Sequence, residues 1–389
     1  MKIERIELFP IRMKPVKPDW QTNQAAHIPG MATVIVRMTT DSGIQGLGEA
    51  ASGPAYFNQT PGTLLDWLRA YTKALKGANP LDIANAHRIM DRVSGEFPTG
   101  CQPARAGIDL ALYDIAGKAQ GRPVYDVLGG AYQTEFEMLT NLYEVTPEAK
   151  AAASKSFVKK GFRGLKVKVG TSTKEKGVNT ETLKWETAKL VAALEAVPED
   201  VQIDADPNQS WRSPKLVVTV IERILRDKFY ANLSIEQPIH HLDFAGHRFI
   251  RQAVNIPVIL DEAVVSPQAM MQIVKQEAAD RIVLKFNRVG GLFLAKKIAT
   301  ICEAAAIGIS LDTMPFTKLG DTAACHLAAT LRDPYPVDAE GHLWFEDTPF
   351  RGGLKIRNGR ASIGSAPGFG VELDETKLKA MSIKPEDWL

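Results

Sequence analysis

Beyond residue 130 the chain repeats one unit, a short β run followed by an amphipathic stretch of helical period. The β runs fall at residues 136–142, 164–169, 201–206, 233–238, 258–261, 281–286, 307–313 and 342–345. They lie about 25 to 40 residues apart, the length of a strand plus a returning helix such as 184–196 or 292–306. Strands joined in this way run parallel, and eight of them close into a (β/α)8-type barrel. An open doubly wound sheet is the competing arrangement, but no glycine-rich nucleotide fingerprint follows an early strand.

Residues 1–130 read differently. Strands at 3–12, 33–39 and 44–49, the last two joined by the turn Asp41-Ser42-Gly43, precede helical periodicity at 63–75, 81–93 and 103–120. Strands followed by helices describe an α+β domain. The chain of 389 residues accommodates that domain, a barrel at 131–358 and a polar, turn-rich segment at 359–389 that is expected to pack back on the first domain. Lys plus Arg (47) nearly balances Asp plus Glu (45), so no basic stripe points to nucleic acid. No apolar run is long enough to cross a bilayer. Cys101, Cys302 and Cys325 are three and far apart, which argues for reduced thiols and a cytoplasmic protein rather than a disulfide framework.

The charges at the strand ends carry the chemistry, because in such a barrel the C-terminal strand ends surround the active site. The second run contains Lys166-Val167-Lys168, whose period-two spacing points both lysines one way. The third ends Asp204-Ala205-Asp206-Pro207-Asn208, the fourth Glu236-Gln237, the fifth Asp261-Glu262 and the sixth Lys285-Phe286-Asn287. One carboxylate at a strand end is ordinarily solvated or caps the next helix. Carboxylates on three successive, adjacent strands converge and call for a cation, and an all-oxygen set suits Mg²⁺, or Mn²⁺. Two lysines held close together disfavour each other's charge, which lets one of them act as a base. Lys285 stands on the opposite wall, so two bases face one substrate carbon. Plain salt bridging is the structural reading of these lysines, and a Schiff-base aldolase is a second functional one; the latter gives the carboxylates no role.

At this point the residues resemble the muconate cycloisomerase-like (mandelate racemase/muconate lactonizing enzyme) family of the enolase superfamily. Its pattern is K-x-K on the second strand, Asp, Glu and Asp on the next three, and Lys on the sixth. Residues 103–130, 285–292 and 367–373 also resemble family segments. The resemblance implies a (β/α)7β barrel with an N-terminal capping domain. It implies Asp206, Glu236 and Asp261 as metal ligands, Lys168 and Lys285 as the acid–base pair, and Lys166 as their electrostatic neighbour. Asp204 and Glu262 remain open as replacements for Asp206 and Asp261. It further implies that two capping-domain loops, carrying Trp20 and His27 and carrying Tyr56, cover the barrel mouth. Asn208, Asp312, Met314, Phe316 and Glu346 are the remaining candidate substrate contacts, with Asp312 and Glu346 placed to hold an ammonium. Relatives of this kind are commonly homo-oligomers.

The implied reaction is abstraction of the proton next to a carboxylate in a small substrate, through a metal-stabilised enediolate. A lysine on each face suits racemisation or epimerisation of an amino-acid derivative. A cycloisomerase or dehydratase uses the same half-reaction and is the alternative, and a non-catalytic protein keeping the fold would be expected to have lost one of the six positions.

Overall fold

Strand β1 (Ile3–Met13) pairs antiparallel with β2 (Met31–Thr40), and β2 with β3 (Gln45–Ala51). The β2–β3 turn closes on Gly43, whose φ of +80° favours glycine. Three helices, Pro61–Leu75, Ile83–Ser94 and Gln102–Gln120, cover this sheet. The first starts where Thr60 caps the Thr63 amide ahead of Pro61, and the second ends at left-handed Gly95. Helix Gln102–Gln120 lies so close to β3 that a Cβ on Gly48 would stand 1.9 Å from the Gly107 carbonyl oxygen. Residues 103–117 of that helix are buried, sealed by the sheet on one side and the barrel on the other. The computed structural model describes residues 1–16, 31–53, 59–95, 100–226, 228–312, 314–384 and 387.

The first β run of the second half divides at Met138. Strand β4 (Glu135–Glu137) joins an outer antiparallel sheet, and β5 (Leu139–Leu142) begins the barrel. The barrel continues with β6 (Gly164–Lys168), β7 (Gln202–Asp206), β8 (Leu233–Glu236), β9 (Val258–Leu260), β10 (Arg281–Leu284) and β11 (Gly308–Leu311). These seven strands are parallel and ordered as in the sequence. Register pairs Lys166 with Asp204 and Lys168 with Asp206, so the acids stand beside the lysines layer by layer.

The eighth position corrects the sequence expectation. Residues 342–345 are not a strand, because Gly341–Trp344 forms a 3-10 turn with the His342 amide bonded to Asp321. The barrel is closed instead by the stretch around Tyr335–Ala339. Its Tyr335 and Asp338 amides donate to Ile309 and Leu311 of β11 at 3.2 and 3.0 Å, and its Val337 amide to Glu137 at 2.8 Å. Leu139 of β5 donates back to Val337 at 3.0 Å. Pro334 and Pro336 interrupt that stretch and hide its strand pattern.

Beyond it, β12 (Phe350–Gly352) pairs with β15 (Val371–Leu373), and β13 (Lys355–Arg357) with β14 (Arg360–Ser362), which adds β4 on its other edge. After helix Glu375–Met381, Ile383 donates to Pro10 of β1 at 3.0 Å. One apolar core fills the barrel and its helix layer, and another lies between β1–β3 and the capping helices.

Candidate active site at the barrel mouth

Pleating alternates side chains along each strand, so every second residue of β6 and β7 faces the barrel axis. Lys166 Nζ lies 3.0 Å from Glu236 and 2.9 Å from Asp312. Lys168 Nζ donates to Asp206 Oδ2 at 2.5 Å. Lys285 Nζ lies 2.7 Å from Asp261 Oδ2 and 2.9 Å from Asp312 Oδ2. Arg288 completes the set, with Nη1 on Asp261 Oδ1 at 2.6 Å and on the Asp261 carbonyl at 2.9 Å. All four carboxylates are buried.

Two non-glycine residues at the mouth hold left-handed backbones that orient neighbouring acids. Asn208 (φ +43°) returns its amide to Asp206 Oδ1 at 2.8 Å, and its side-chain nitrogen lies 3.4 Å from Glu262 Oε1. Gln237 (φ +35°) is fully buried; its Oε1 accepts the amides of Asp261 and Ala263 at 3.0 and 3.3 Å. Its Nε2 donates to Ile239 O and to His247 Nε2 at 3.2 and 3.1 Å. Asp204 sits one layer deeper than Asp206, within 3.3 Å of Ser234 Oγ.

Burial works against every charge here, and the neighbours decide the outcome. It pulls Lys166 down, but Asp312 and Glu236 outweigh it and hold the ammonium well above its usual range. For Lys168, burial and Lys166 both lower the value, yet Asp206 wins and the net shift is upward. Lys285 is likewise depressed by burial and raised overall by Asp261 and Asp312. Asp261 is pushed up by burial but held low by Arg288 and Lys285. Glu236 shows the opposite balance: burial raises it far above the usual carboxylate range, and Lys166 offsets only part of that.

The donor set fits a hard divalent cation. Oxygens of Glu236, Asp261 and Asp312 lie within 4.8 Å of one another, with no His or Cys in that group among the described residues. Glu236 in particular lacks sufficient positive charge. Asp312 Oδ2 already serves two ammonium groups, whereas Asp206 Oδ2 serves Lys168 across one register pair.

Of the other sequence candidates, Met314 and Phe316 are buried, and Phe316 stacks on Phe286 at 5.1 Å. Glu346 is exposed on the segment after the 3-10 turn, its amide bonded to Lys14 O at 2.9 Å. Trp20, His27 and Tyr56 lie outside the described residues. Several residues of the mouth escaped the sequence reading: Arg288, Gln237, Asp338 and Glu340. Glu340 accepts from Thr140 Oγ1 at 2.8 Å and is pushed up to about 7 by burial, while Asp338 accepts from Asn141 Nδ2 at 2.7 Å. The spacing Asp338-Ala339-Glu340 repeats the alternation of Lys166-Val167-Lys168 and was the available signal.

A closed parallel barrel under an α+β cap, with acids and lysines lining one mouth, defines a barrel enzyme of the enolase type. Residues 7–129 match the mandelate racemase / muconate lactonizing enzyme N-terminal domain, and residues 148–377 match the enolase C-terminal domain-like family. The chain belongs to the mandelate racemase/muconate lactonizing enzyme family of the enolase superfamily. It is 31% identical to N-succinyl-L-Arg/Lys racemase of Bacillus cereus over 385 residues, 98% of each chain. The crystal structure of that racemase superposes with a TM-score of 0.89 over 99% of both chains. A dipeptide epimerase from Enterococcus faecalis, complexed with Mg and L-Leu-L-Tyr, gives 0.86 at 29% identity over 96% of this chain and 100% of that one. Muconate lactonizing enzyme from Pseudomonas putida gives 0.87 at 25% identity, over 98% of this chain and 100% of that one.

Proposed function

We propose that this protein racemises or epimerises an amino-acid derivative, an N-acylated amino acid or a dipeptide, by moving the proton on the carbon next to a carboxylate. The observation that carries the reading is the placement of Lys168 and Lys285. They stand at the ends of the second and sixth barrel strands, on opposite walls, with the carboxylates between them. Lys168 takes the α-proton from one face and Lys285 delivers a proton to the other; for the opposite enantiomer the roles exchange. Lys166 lies behind Lys168 and modulates its charge. Asp206, Glu236 and Asp261 would hold Mg²⁺. When bound, the cation supplies Lewis-acid stabilisation of the negative charge that develops on the substrate carboxylate. Asp312 and Glu236 at Lys166, Asp206 at Lys168, and Asp261 and Asp312 at Lys285 keep all three ammonium groups charged. Relatives that act on N-succinyl amino acids and dipeptides support the substrate class. The three cysteines are buried free thiols, in keeping with a cytoplasmic protein. No helix of the described residues is long and apolar enough to cross a membrane.

The test is α-proton exchange in D₂O with Mg²⁺ across L and D N-acylated amino acids and dipeptides, followed by NMR and polarimetry. Wild type is expected to exchange and invert at least one of them. Lys168→Ala and Lys285→Ala should each abolish inversion, and each should retain exchange with one enantiomer only. Exchange of the same enantiomer that survives both substitutions overturns the lysine mechanism, and release of water or ring closure would identify a lyase or cycloisomerase instead.

A further inference from the structure

Asp312 follows β11, the seventh barrel strand, and is buried at 7% exposure. One of its oxygens, Oδ2, is shared by Lys166 and Lys285, each at 2.9 Å. Those lysines come from the second and sixth strands, so a single carboxylate oxygen spans the barrel axis and holds the two ammonium groups within twice that distance of each other. The carboxylate is braced from behind. Asp338, from the closing stretch, stands beside it, and Asn141 Nδ2 at the end of β5 holds Asp338 at 2.7 Å. An oxygen already facing two ammonium groups has little left to give a metal ion or a substrate ammonium, although Asp312 lies within the 4.8 Å carboxylate group.

We propose that Asp312 is a positioning residue that fixes Lys285, and through Lys166 the opposite lysine, rather than a metal ligand or a substrate contact. The inference rests on the lysine reading of the site. Loss of the bridge lets two like charges in a low-dielectric mouth move apart. A base displaced by about 1 Å from its target loses rate steeply, on the order of a hundred-fold. The effect should be uneven. Lys285 touches Asp312 directly, whereas Lys168 is held by Asp206 and feels Asp312 only through Lys166.

The experiment compares wild type, Asp312→Asn and Asp312→Ala in three readouts. Crystal structures should show the Lys166 and Lys285 ammonium groups separated further in the variants. Mn²⁺ affinity, followed by electron paramagnetic resonance, should fall by less than about 100-fold, the range for a residue outside the ligand shell. With N-succinyl-L-lysine and N-succinyl-D-lysine in D₂O, kcat for α-exchange should fall at least about ten-fold for the enantiomer served by Lys285 and less for the other, with KM within about two-fold. Lys168→Ala and Lys285→Ala assign which enantiomer each lysine serves. An Mn²⁺ affinity loss beyond about 100-fold would make Asp312 a ligand, and a raised KM with unchanged kcat would make it a substrate contact; either overturns the proposal, as do unmoved lysines. If wild type exchanges neither enantiomer, the proposed substrate class is what fails, and the lysine separation still decides the role of Asp312.

Discussion

Glu49 and Thr317 join the two halves of the molecule. The Glu49 side chain, at the inner end of β3, accepts the Thr317 hydroxyl at 2.5 Å and the Thr317 amide at 2.8 Å, and then the Gly320 amide at 3.0 Å. It therefore caps helix Lys318–Ala329, which starts directly after the seventh-strand loop carrying Met314 and Phe316. Asp109 does the same one strand earlier, accepting the Leu292 amide at 2.5 Å at the start of helix Leu292–Ala304. Capping-domain carboxylates thus satisfy the exposed amides of two barrel helices and complement their dipoles.

Glu49 gives stability a pH dependence. Burial pushes its pKa up to about 7, against the three hydrogen bonds that favour the anion. Its folded value exceeds its unfolded one, so its contribution is complete below about pH 4.5 and is lost as pH rises through about 7. The span corresponds to at most about 3 kcal/mol. Glu49→Gln is expected to flatten the urea-unfolding free energy across pH 5–8, measured by circular dichroism, and Glu49→Ala to destabilise at every pH.

Lys150 has the opposite sign. It is fully buried, donates to the Leu142 carbonyl at the end of β5, and burial lowers it to about 7. A depressed folded value means that its contribution is present above about 10.5 and is lost as pH falls through about 7. Lys150→Met should remove the rise in stability between pH 7 and 10, read from the same unfolding series.

Arg288 should control metal affinity. Its Nη1 engages both the side chain and the main chain of Asp261, so Arg288→Met leaves the Asp261 carboxylate with Lys285 as its remaining cationic partner. Residues that orient a ligand typically account for 10- to 100-fold in affinity. Isothermal titration with Mn²⁺ should show a loss in that range, and an unchanged affinity would remove Asp261 from the ligand set.

Gln237 is expected to be costly to replace despite its strained backbone. Gln237→Leu leaves the Asp261 and Ala263 amides without their acceptor in a buried site. An unsatisfied buried amide costs about 1–3 kcal/mol, so thermal denaturation should show a drop of several degrees.

Much of this was readable in the residues because it depends on local period. The lysine and carboxylate strand ends follow from alternation, and the barrel from repeated strand–helix spacing. The eighth strand was not readable, since its pairing comes from Ile309, Leu311 and Glu137, distant in sequence, while Pro334 and Pro336 erase the local pattern. With it went Asp338 and Glu340. Arg288 and Gln237 stood inside quoted motifs, but their partners are set by tertiary geometry: Arg288 reaches back to the preceding strand end, and Gln237 reaches forward to the next one. At Lys168 the lysine spacing showed the neighbour that lowers its pKa, Lys166, but not the Asp206 carboxylate at 2.5 Å that raises it, because that contact is made across the sheet.

Among the mouth carboxylates, Asp206, Glu236, Asp261 and Asp312 each meet one or more of the cationic side chains Lys166, Lys168, Lys285 and Arg288. Much of the negative charge at the mouth therefore has a counterion within the chain. A polypeptide arranged in this way is expected to keep its native shape without the ion, which is then an exchangeable guest rather than a nucleus for folding. Chelation should then silence such a protein without unfolding it, and the same polypeptide can be reloaded with a different divalent ion.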